Sequence, residues 1–409
     1  LSVGWDLTYA LTLPHALLEL IDLIEQGGFE AVVVGGSVRD LLLNKKPKDY
    51  DLATNATPEQ LLALLQSKMQ TSLVGLKFGT LGVLYKGQFF EITTYRLEFD
   101  YTNHRHPKVS FVNSLESDLS RRDLTINALA FHPKKGLLDL HGGLQDLKDR
   151  KLAFVGVPSV RLEEDALRIL RAMRFASTLG FKLDVKSENA LFDQANLLDK
   201  ISKERIWHEC SRLLVGFNAS DVCMRYCTLL ERIFGSLDSK LLAKLSCTPP
   251  NLVARLLLIY QNCDQLSMQT CLKNLKAPKQ FILTLNKLHP YTKINPQDSK
   301  IWVKQQLQVL SLSQFRAWLG WLQASDVPLS RALRVHFKVI GIQKEVYSLH
   351  FLALKGDHVK NLGLRGAEIG ACLQACLKEV VQERVKNELG ALLEWAQKWI
   401  KDLREYALK

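Results

Sequence analysis

No apolar run in this sequence approaches the ~20 residues that a bilayer-spanning helix needs, which excludes an integral helical membrane protein. The opening stretch, residues 1–26, carries acidic residues and no basic leader, so it does not read as a secretory signal. Cysteine is missing before Cys210, and the eight cysteines that follow form no C-x-x-C and no cysteine–histidine spacing of zinc-site type. Disulfide scaffolds and zinc ribbons are thereby excluded, and the thiols read as small buried side chains in a reducing compartment. No unit recurs at a fixed period, which removes a solenoid. A dense lysine/arginine tail is also absent. The expected location is the cytoplasm, with no membrane partner.

What is present fits a multidomain globular chain. The 409 residues, 47% of them hydrophobic, suffice for roughly two to four domains. With 23% charged residues the chain is not broadly disordered. Lysine and arginine outnumber aspartate and glutamate 54 to 42, a net charge of +12 that suits a polyanionic partner.

The chain changes character near residue 150. Before it, Ala31–Val34 reads as a short apolar strand, and Leu81–Tyr85 and Phe89–Tyr95 read as strands joined through Lys86-Gly87-Gln88. Pro58–Met69 reads as a helix with Thr57 as N-cap and Pro58 in its first turn. Residues 97–118 are polar, aromatic and weakly periodic, and read as an irregular functional or mobile segment. After about residue 160 helical spacing dominates. Val160–Leu179 reads as one amphipathic helix and Val380–Tyr406 as a closing one, with breaks at the intervening prolines. A mixed α/β head followed by a long all-α body is expected.

Three stretches carry chemistry. The first joins an apolar strand to Gly35-Gly36-Ser37, a helical run from Val38, and Arg39. Glycines allow close backbone approach to a phosphate, a helix start offers free N–H groups, and a guanidinium adds paired donors. A dozen residues on comes Asp49-Tyr50-Asp51. Alternate strand residues share a face, so two carboxylates there need a cation between them, and hard oxygen ligands suit Mg2+. The second stretch is Arg121-Arg122-Asp123 with Asn127 downstream, where an acid orienting a guanidinium suits triphosphate contact. In the third, Asp165, Arg168, Arg171 and Arg174 step by three along a helix, placing Asp165 and Arg168 side by side and Arg174 about half a turn away. Each stretch has a plainer reading as turn, acidic surface or salt-bridged helix.

The five segments 34–43, 48–60, 120–131, 139–147 and 163–181 together, in this order, resemble the class II CCA-adding enzymes, the tRNA nucleotidyltransferases related to bacterial poly(A) polymerases. The resemblance covers about residues 28–185. It implies an α+β nucleotidyltransferase head at 1–150, a mixed sheet with helices. A helical neck at 151–215 and an all-α body and tail at 216–409 follow. It further implies Asp49 and Asp51 as catalytic metal ligands, Gly35, Gly36, Ser37 and Arg39 as a nucleotide loop, and Arg121, Arg122, Asp123 and Asn127 as an arginine motif. Asp165 and Arg168 match the pair that reads the incoming base, with Arg171 and Arg174 as further nucleotide contacts.

The implied substrates are CTP, ATP and the 3′ end of tRNA, with two Mg2+ ions supporting attack of the RNA hydroxyl on the α-phosphate. Base choice follows from polarity. Cytosine and adenine each present an amino donor beside a ring-nitrogen acceptor, which a carboxylate and a guanidinium complement; uracil and guanine present the reverse. Within the family, poly(A) synthesis and CC-only or A-only addition stand as alternatives; outside it, a non-catalytic RNA-binding protein. The segment around Glu98–Pro107 resembles the family's mobile loop, although Asn103-His104-Arg105 replaces an acidic residue common there. Lys203, Arg205, Arg255, Lys276 and Lys279 are candidates for RNA phosphate contact.

Overall fold

The computed structural model describes residues 4–73, 75, 78–102 and 106–407, so Asn103-His104-Arg105 lies outside the described residues. The chain divides into two compact units, Leu1–Gly235 and Ser236–Lys409.

The first unit is built on a seven-stranded sheet. Its strands are β1 (Ala31–Val34), β2 (Tyr50–Thr54), β3 (Gln70–Ser72), β4 (Thr80–Tyr85), β5 (Gln88–Thr94), and, after a separate β6–β7 hairpin (Arg96–Thr102 and His106–Phe111), β8 (Leu129–His132) and β9 (Gly136–Asp139). The order across the sheet is β3-β4-β5-β2-β1-β8-β9. All four residues of β1 are buried, as a central strand covered on both faces requires. Antiparallel pairing sets Val34 opposite Asp51, and parallel pairing sets Asp51 opposite Glu91. On one face Val32, Val34, Ala53, Ala130 and Leu138 pack around Tyr95, Leu115 and Leu119. Burying each such side chain stabilises the fold by about 1.5–3 kcal/mol for the larger ones.

Helix α1 (His15–Gln26) precedes the sheet, α2 (Gly36–Leu42) leaves β1, and α3 (Pro58–Leu65) follows β2. Thr57 caps α3 in a reciprocal capping box with Gln60, as its sequence suggests, but the helix ends at Leu65 rather than Met69. The β4–β5 hairpin turns on Lys86 and Gly87, both at positive φ.

Two expectations need correction. Residues 97–118 are not irregular: β6 and β7 pair antiparallel, and α4 (Leu115–Ser120) follows with Ser114 as its cap. The strand was hidden because its polarity is inverted, with Leu97 and Phe99 exposed at 42% and 45% while Arg96 and Glu98 line a cavity. Val160–Leu179 is not one helix. After α5 (Gly143–Lys148), α6 (Pro158–Glu164) stops at Asp165, whose φ is −140°, and α7 (Leu167–Leu179) restarts. The break is stabilised by the Leu167 amide donating to Asp165 Oδ1 at 3.0 Å. Helix α7 ends at Gly180 in the left-handed conformation. Of two further helices, α9 (Lys203–Leu214) packs on α7 and α8 (Val185–Asp193) packs on α6.

The second unit is helical. An aromatic cluster of Trp302, Phe315, Trp318 and Trp321 anchors one part, and Leu352, Val359, Cys376, Val381 and Leu392 contribute to the core of another. The expected closing helix is two, Ala367–Val381 and Leu389–Ala407. Lys304, only 4% exposed, is held by Glu345 and Glu383. Cys210, Cys223, Cys372 and Cys376 are buried free thiols.

The acid/glycine run at 139–147 braces the site from behind. Asp139 accepts the amides of Gly143 and Leu144 at the start of α5, and Asp146 on α5 accepts the Thr125 hydroxyl at 2.6 Å. A Cβ on Gly143 would collide with the Thr125 carbonyl. Gly143→Ala is therefore expected to destabilise the first unit by about 1–3 kcal/mol through forced backbone displacement, measured by denaturant unfolding.

Candidate nucleotide-binding and catalytic site

Gly35 follows β1 at φ +74°, directly beside the carboxylate of its sheet neighbour. A Cβ there would stand 2.9 Å from Arg122 Nη1 and 3.7 Å from Asp51 Oδ2; on Gly36 it would stand 3.4 Å from Arg39 Nη2. The glycine pair thus makes room for two guanidinia. Ser37 is buried and its hydroxyl donates to the Val34 carbonyl at 2.9 Å, so it tightens the turn and does not line the cavity. Helix α2 begins at Gly36, earlier than Val38.

A cavity of ≈ 520 Å3 opens over this turn. It is lined by Gly35, Gly36, Arg39, Asp51, Arg121, Arg122, Asp123, Asn127, Asp165, Arg168, Arg171 and Arg174, twelve of the fourteen residues singled out from sequence. The other two are Ser37 and Asp49. Asp49 stands exposed in the bend before β2, yet close enough for its charge to act on Asp51. Burial pushes the Asp51 carboxyl above its ordinary range; Glu91 and Asp49 add repulsion, while Arg122 and Arg39 oppose it. Glu91 is a third carboxylate that sequence reading missed. Only the parallel register of β2 and β5 reveals it.

Each cationic group facing the cavity is held by a partner. Arg39 donates to Asn127 Oδ1 at 2.7 Å and to Asp40. Arg121 and Arg122 are fixed by buried Asp118, at 2.7 and 3.1 Å, not by adjacent Asp123. Burial alone would raise the Asp118 carboxyl, but the two guanidinia hold it below the usual range. Asp123 instead grips Arg171 at 2.6 Å and accepts from Asn127 and the Leu124 amide; burial opposes its ionisation, but these contacts hold its carboxyl far below normal. The expectation that Asp123 orients its arginine neighbours is therefore corrected. Arg122 Nε is buried with no hydrogen-bond partner among the described residues, a donor left for a ligand.

At the other end, Arg168 donates to Arg161 O and Glu164 on α6 and to Arg121 O at 2.9 Å. Asp165 Oδ2 accepts from Arg205 of α9 at 2.8 Å. Because Asp165 lies in the break between helices, its nearness to Arg168 comes from the chain turn and not from helical spacing. Arg174 pairs with Glu209 and lies over the Phe175 ring at 3.9 Å, with Arg171 and Arg39 farther around it. The half-turn offset along α7 does not keep Arg174 out of the cavity, which it lines with Arg168, Arg171 and Phe175. Thr80, Thr93, Arg96, Glu98 and Phe175 also line it and were not assigned from sequence. Glu98 joins Arg96 and Arg121, tying the β6–β7 hairpin to the arginine motif.

Of the basic residues expected to meet RNA, Arg205 serves Asp165, and Arg255 is 3% exposed and donates to Thr248 O. Lys203, Lys276 and Lys279 are exposed, and the last two share a surface depression with Lys273. No helix among the described residues is long and apolar enough to cross a membrane.

Seven arginines against five carboxylates line the cavity, with a carboxylate cluster at one wall; this is the chemistry of a polyphosphate site with room for a cation. The poly A polymerase head domain matches residues 31–153, and the probable RNA and SrmB-binding site of polymerase A matches residues 180–241. The CCA-adding enzyme of Pediococcus pentosaceus is 33% identical over 407 residues, covering 93% of this chain and 96% of that one. That of Leuconostoc citreum is 45% identical over 214 residues, covering 51% of this chain and 52% of its own. The crystal structure of the Bacillus stearothermophilus CCA-adding enzyme in complex with CTP superposes with a TM-score of 0.77 at 28% identity, covering 97% of this chain and all of that one. With the head-domain motifs gathered around one arginine-lined cavity and full-length similarity of this degree, the chain belongs to the CCA-adding enzyme family.

Proposed function

We propose that the protein adds C, C and A to the 3′ end of tRNA without a nucleic-acid template, using CTP and ATP and releasing pyrophosphate, in the cytoplasm. The observation that supports this most is Asp51, set by strand register between the Gly35 turn and Glu91, facing Arg122 and Arg39. In this reading residues 1–150 are the catalytic head, 151–215 the neck that reads the base, and 216–409 the body and tail that hold tRNA.

A partly buried carboxylate with two like-charged neighbours and a raised pKa fits a divalent cation. Among the described residues no three acidic, imidazole or thiol groups close into a ready cage, which suits Mg2+, an ion that keeps waters and takes substrate phosphates beside one or two carboxylates. Held by Asp51 with Asp49 or Glu91, such ions would activate the RNA 3′-hydroxyl and steady the leaving pyrophosphate. The chain itself supplies the rest. Arg122, with its unused Nε–H, and Arg39 receive phosphate oxygens, and Asn127 holds Arg39 in place. Asp165 accepts the amino group of C or A while Arg168 donates to the ring nitrogen. Carboxylate oxygens have lone pairs beyond those used by Arg205 and Leu167, and Arg168 keeps donors beyond those it directs at backbone and Glu164.

Incubating tRNA trimmed of its terminal triplet with Mg2+ and each labelled nucleotide tests the reading. Two C followed by one A is expected. A long A tail would identify a poly(A) polymerase, C or A alone a partial enzyme, and no incorporation an RNA-binding protein. Asp51→Ala is expected to abolish incorporation while tRNA affinity, read by filter binding, stays unchanged; near-normal turnover would refute the metal role. Joint replacement Asp165→Ala and Arg168→Ala should admit UTP and GTP, and an unchanged CTP and ATP preference removes the base-reading account. Arg205→Met frees the Asp165 carboxylate to rotate, and the CTP-over-UTP ratio in kcat/KM should fall by roughly ten-fold, the equivalent of one charged hydrogen bond.

A further inference from the structure

The open face of the sheet continues past the catalytic carboxylates into a surface that the cavity does not include. Along β5, Thr93 and Glu91 line the cavity, and Phe89 is next on the same face, ~7 Å farther along the strand. Phe89 is 48% exposed and pairs across to Leu84, itself 41% exposed. The ring does not stand upright. It leans over Gly82, where an added Cβ would lie 2.7 Å from its Cζ. Gly82 is the register partner of Glu91, so the leaning ring is carried toward the Glu91 carboxylate. A glycine in mid-strand weakens a sheet unless something must approach closely, and here the aromatic ring is what approaches.

Position across the sheet says what this shelf faces. From Asp51 on β2, the Gly35 turn and Arg122 lie toward β1, while Glu91, Gly82 and the Phe89 ring lie toward β5 and β4. Cationic phosphate donors thus occupy one side of the carboxylates; the other carries no cation from β4 or β5 and holds the Thr80 and Thr93 hydroxyls, with the Phe89 ring beyond them. In-line attack on an α-phosphate requires the incoming hydroxyl opposite the leaving pyrophosphate. The nucleotide is accounted for by the arginines and by Asp165 and Arg168. What remains for the β5–β4 side is the attacking RNA, whose last base must lie near its own 3′-hydroxyl. Every base offers a π-face, so an aromatic shelf holds successive terminal bases without selecting among them, which a growing 3′ end demands.

We propose that Phe89, its ring tip resting over Gly82, is the stacking platform for the 3′-terminal nucleobase of the RNA primer, a positioning residue for the attacking hydroxyl. This rests on the nucleotidyltransferase reading above. The shelf acts on primer placement and not on nucleotide choice.

The test compares wild type with Phe89→Leu, which keeps the apolar pairing with Leu84, and with Phe89→Trp, which keeps a ring. Full-length protein is assayed for CTP addition to trimmed tRNA and to the same tRNA carrying an abasic 3′-terminal nucleotide. Phe89→Leu should raise primer KM roughly five- to hundred-fold, the range of one lost base stack, while the CTP KM is unchanged and Phe89→Trp is near wild type. On the abasic primer the difference between wild type and Phe89→Leu should vanish. Independently of turnover, 2-aminopurine at the primer terminus should be quenched on binding wild type and much less on binding Phe89→Leu or Gly82→Ala. Equal primer KM for wild type and Phe89→Leu, an undiminished defect on the abasic primer, or quenching equal in all proteins would overturn the proposal. Failure of wild type itself to incorporate CTP would instead overturn the functional reading, and the fluorescence comparison would still decide the shelf.

Discussion

The interaction on which the site depends is the repulsion among Asp51, Glu91 and Asp49. Strand pairing forces it: a parallel β2–β5 ladder sets Asp51 beside Glu91, and antiparallel pairing with β1 sets it beside the Gly35 turn. Burial is the larger cause of the raised Asp51 carboxyl, and the two like-charged neighbours add to it. Arg122 and Arg39 relieve it only in part, because Arg122 also serves Asp118 and Arg39 also serves Asp40. The sheet therefore stores unmet negative charge at one wall of a cavity whose remaining walls are largely cationic. In the proposed reading a divalent cation would relieve the carboxylate repulsion, and a triphosphate would take up the donors that the paired arginines keep free, such as Arg122 Nε–H.

The partners of the cavity-facing groups extend this logic. Asp118 fixes Arg121 and Arg122, Asp123 fixes Arg171, Glu209 fixes Arg174, Glu164 fixes Arg168 and Arg205 fixes Asp165. Oriented charges that need not reorganise when a ligand arrives are the most effective kind in a low-dielectric site. For base selection without a template the requirement is stricter, since a movable carboxylate and guanidinium would adapt to the wrong base. The Arg168 contact to Arg121 O also ties the Asp165 end of the cavity to the arginine motif, so in the proposed reading both ends of a nucleotide would be measured against one frame.

Reading the sequence located elements and motifs where neighbours in space are neighbours in the chain. The Thr57 capping box, the β4–β5 hairpin and the glycine turn after β1 are of this sort, and their residue types dictate them. It failed where a partner came from elsewhere. Glu91 is attached to Asp51 only by strand register, and Arg205 reaches Asp165 from another helix; Asp118 is close in the chain to Arg121 and Arg122 but lay in the stretch read as irregular. Asp165 shows a subtler failure. Helical spacing set it beside Arg168 on one helix, whereas it sits at a break closed by its own carboxylate, and the two residues both line one cavity. Basic side chains were the least readable. Arg205 and Arg255 have the same composition signal as exposed lysines, yet one is a partner to an acid and the other is buried.

The inverted strands deserve a common explanation. In β6 and at Phe89, apolar residues face outward while the polar neighbours on alternate positions of β6 face a cavity. An ordinary half-buried strand does the opposite, because apolar burial drives the pairing. Such strands persist only if other terms hold the register. Here the Glu98 contacts to Arg96 and Arg121 hold β6, and the buried Phe90, Ile92, Leu81 and Val83 on the reverse face hold β4 and β5. Local rules are broken where β6 presents charge to the cavity and where β5 presents an aromatic ring to solvent. Both violations flank the same carboxylates, on strands adjacent in the chain. The breach of pattern that hid β6, though not β5, from a periodicity reading is thus the physical trace of the charged cavity it borders.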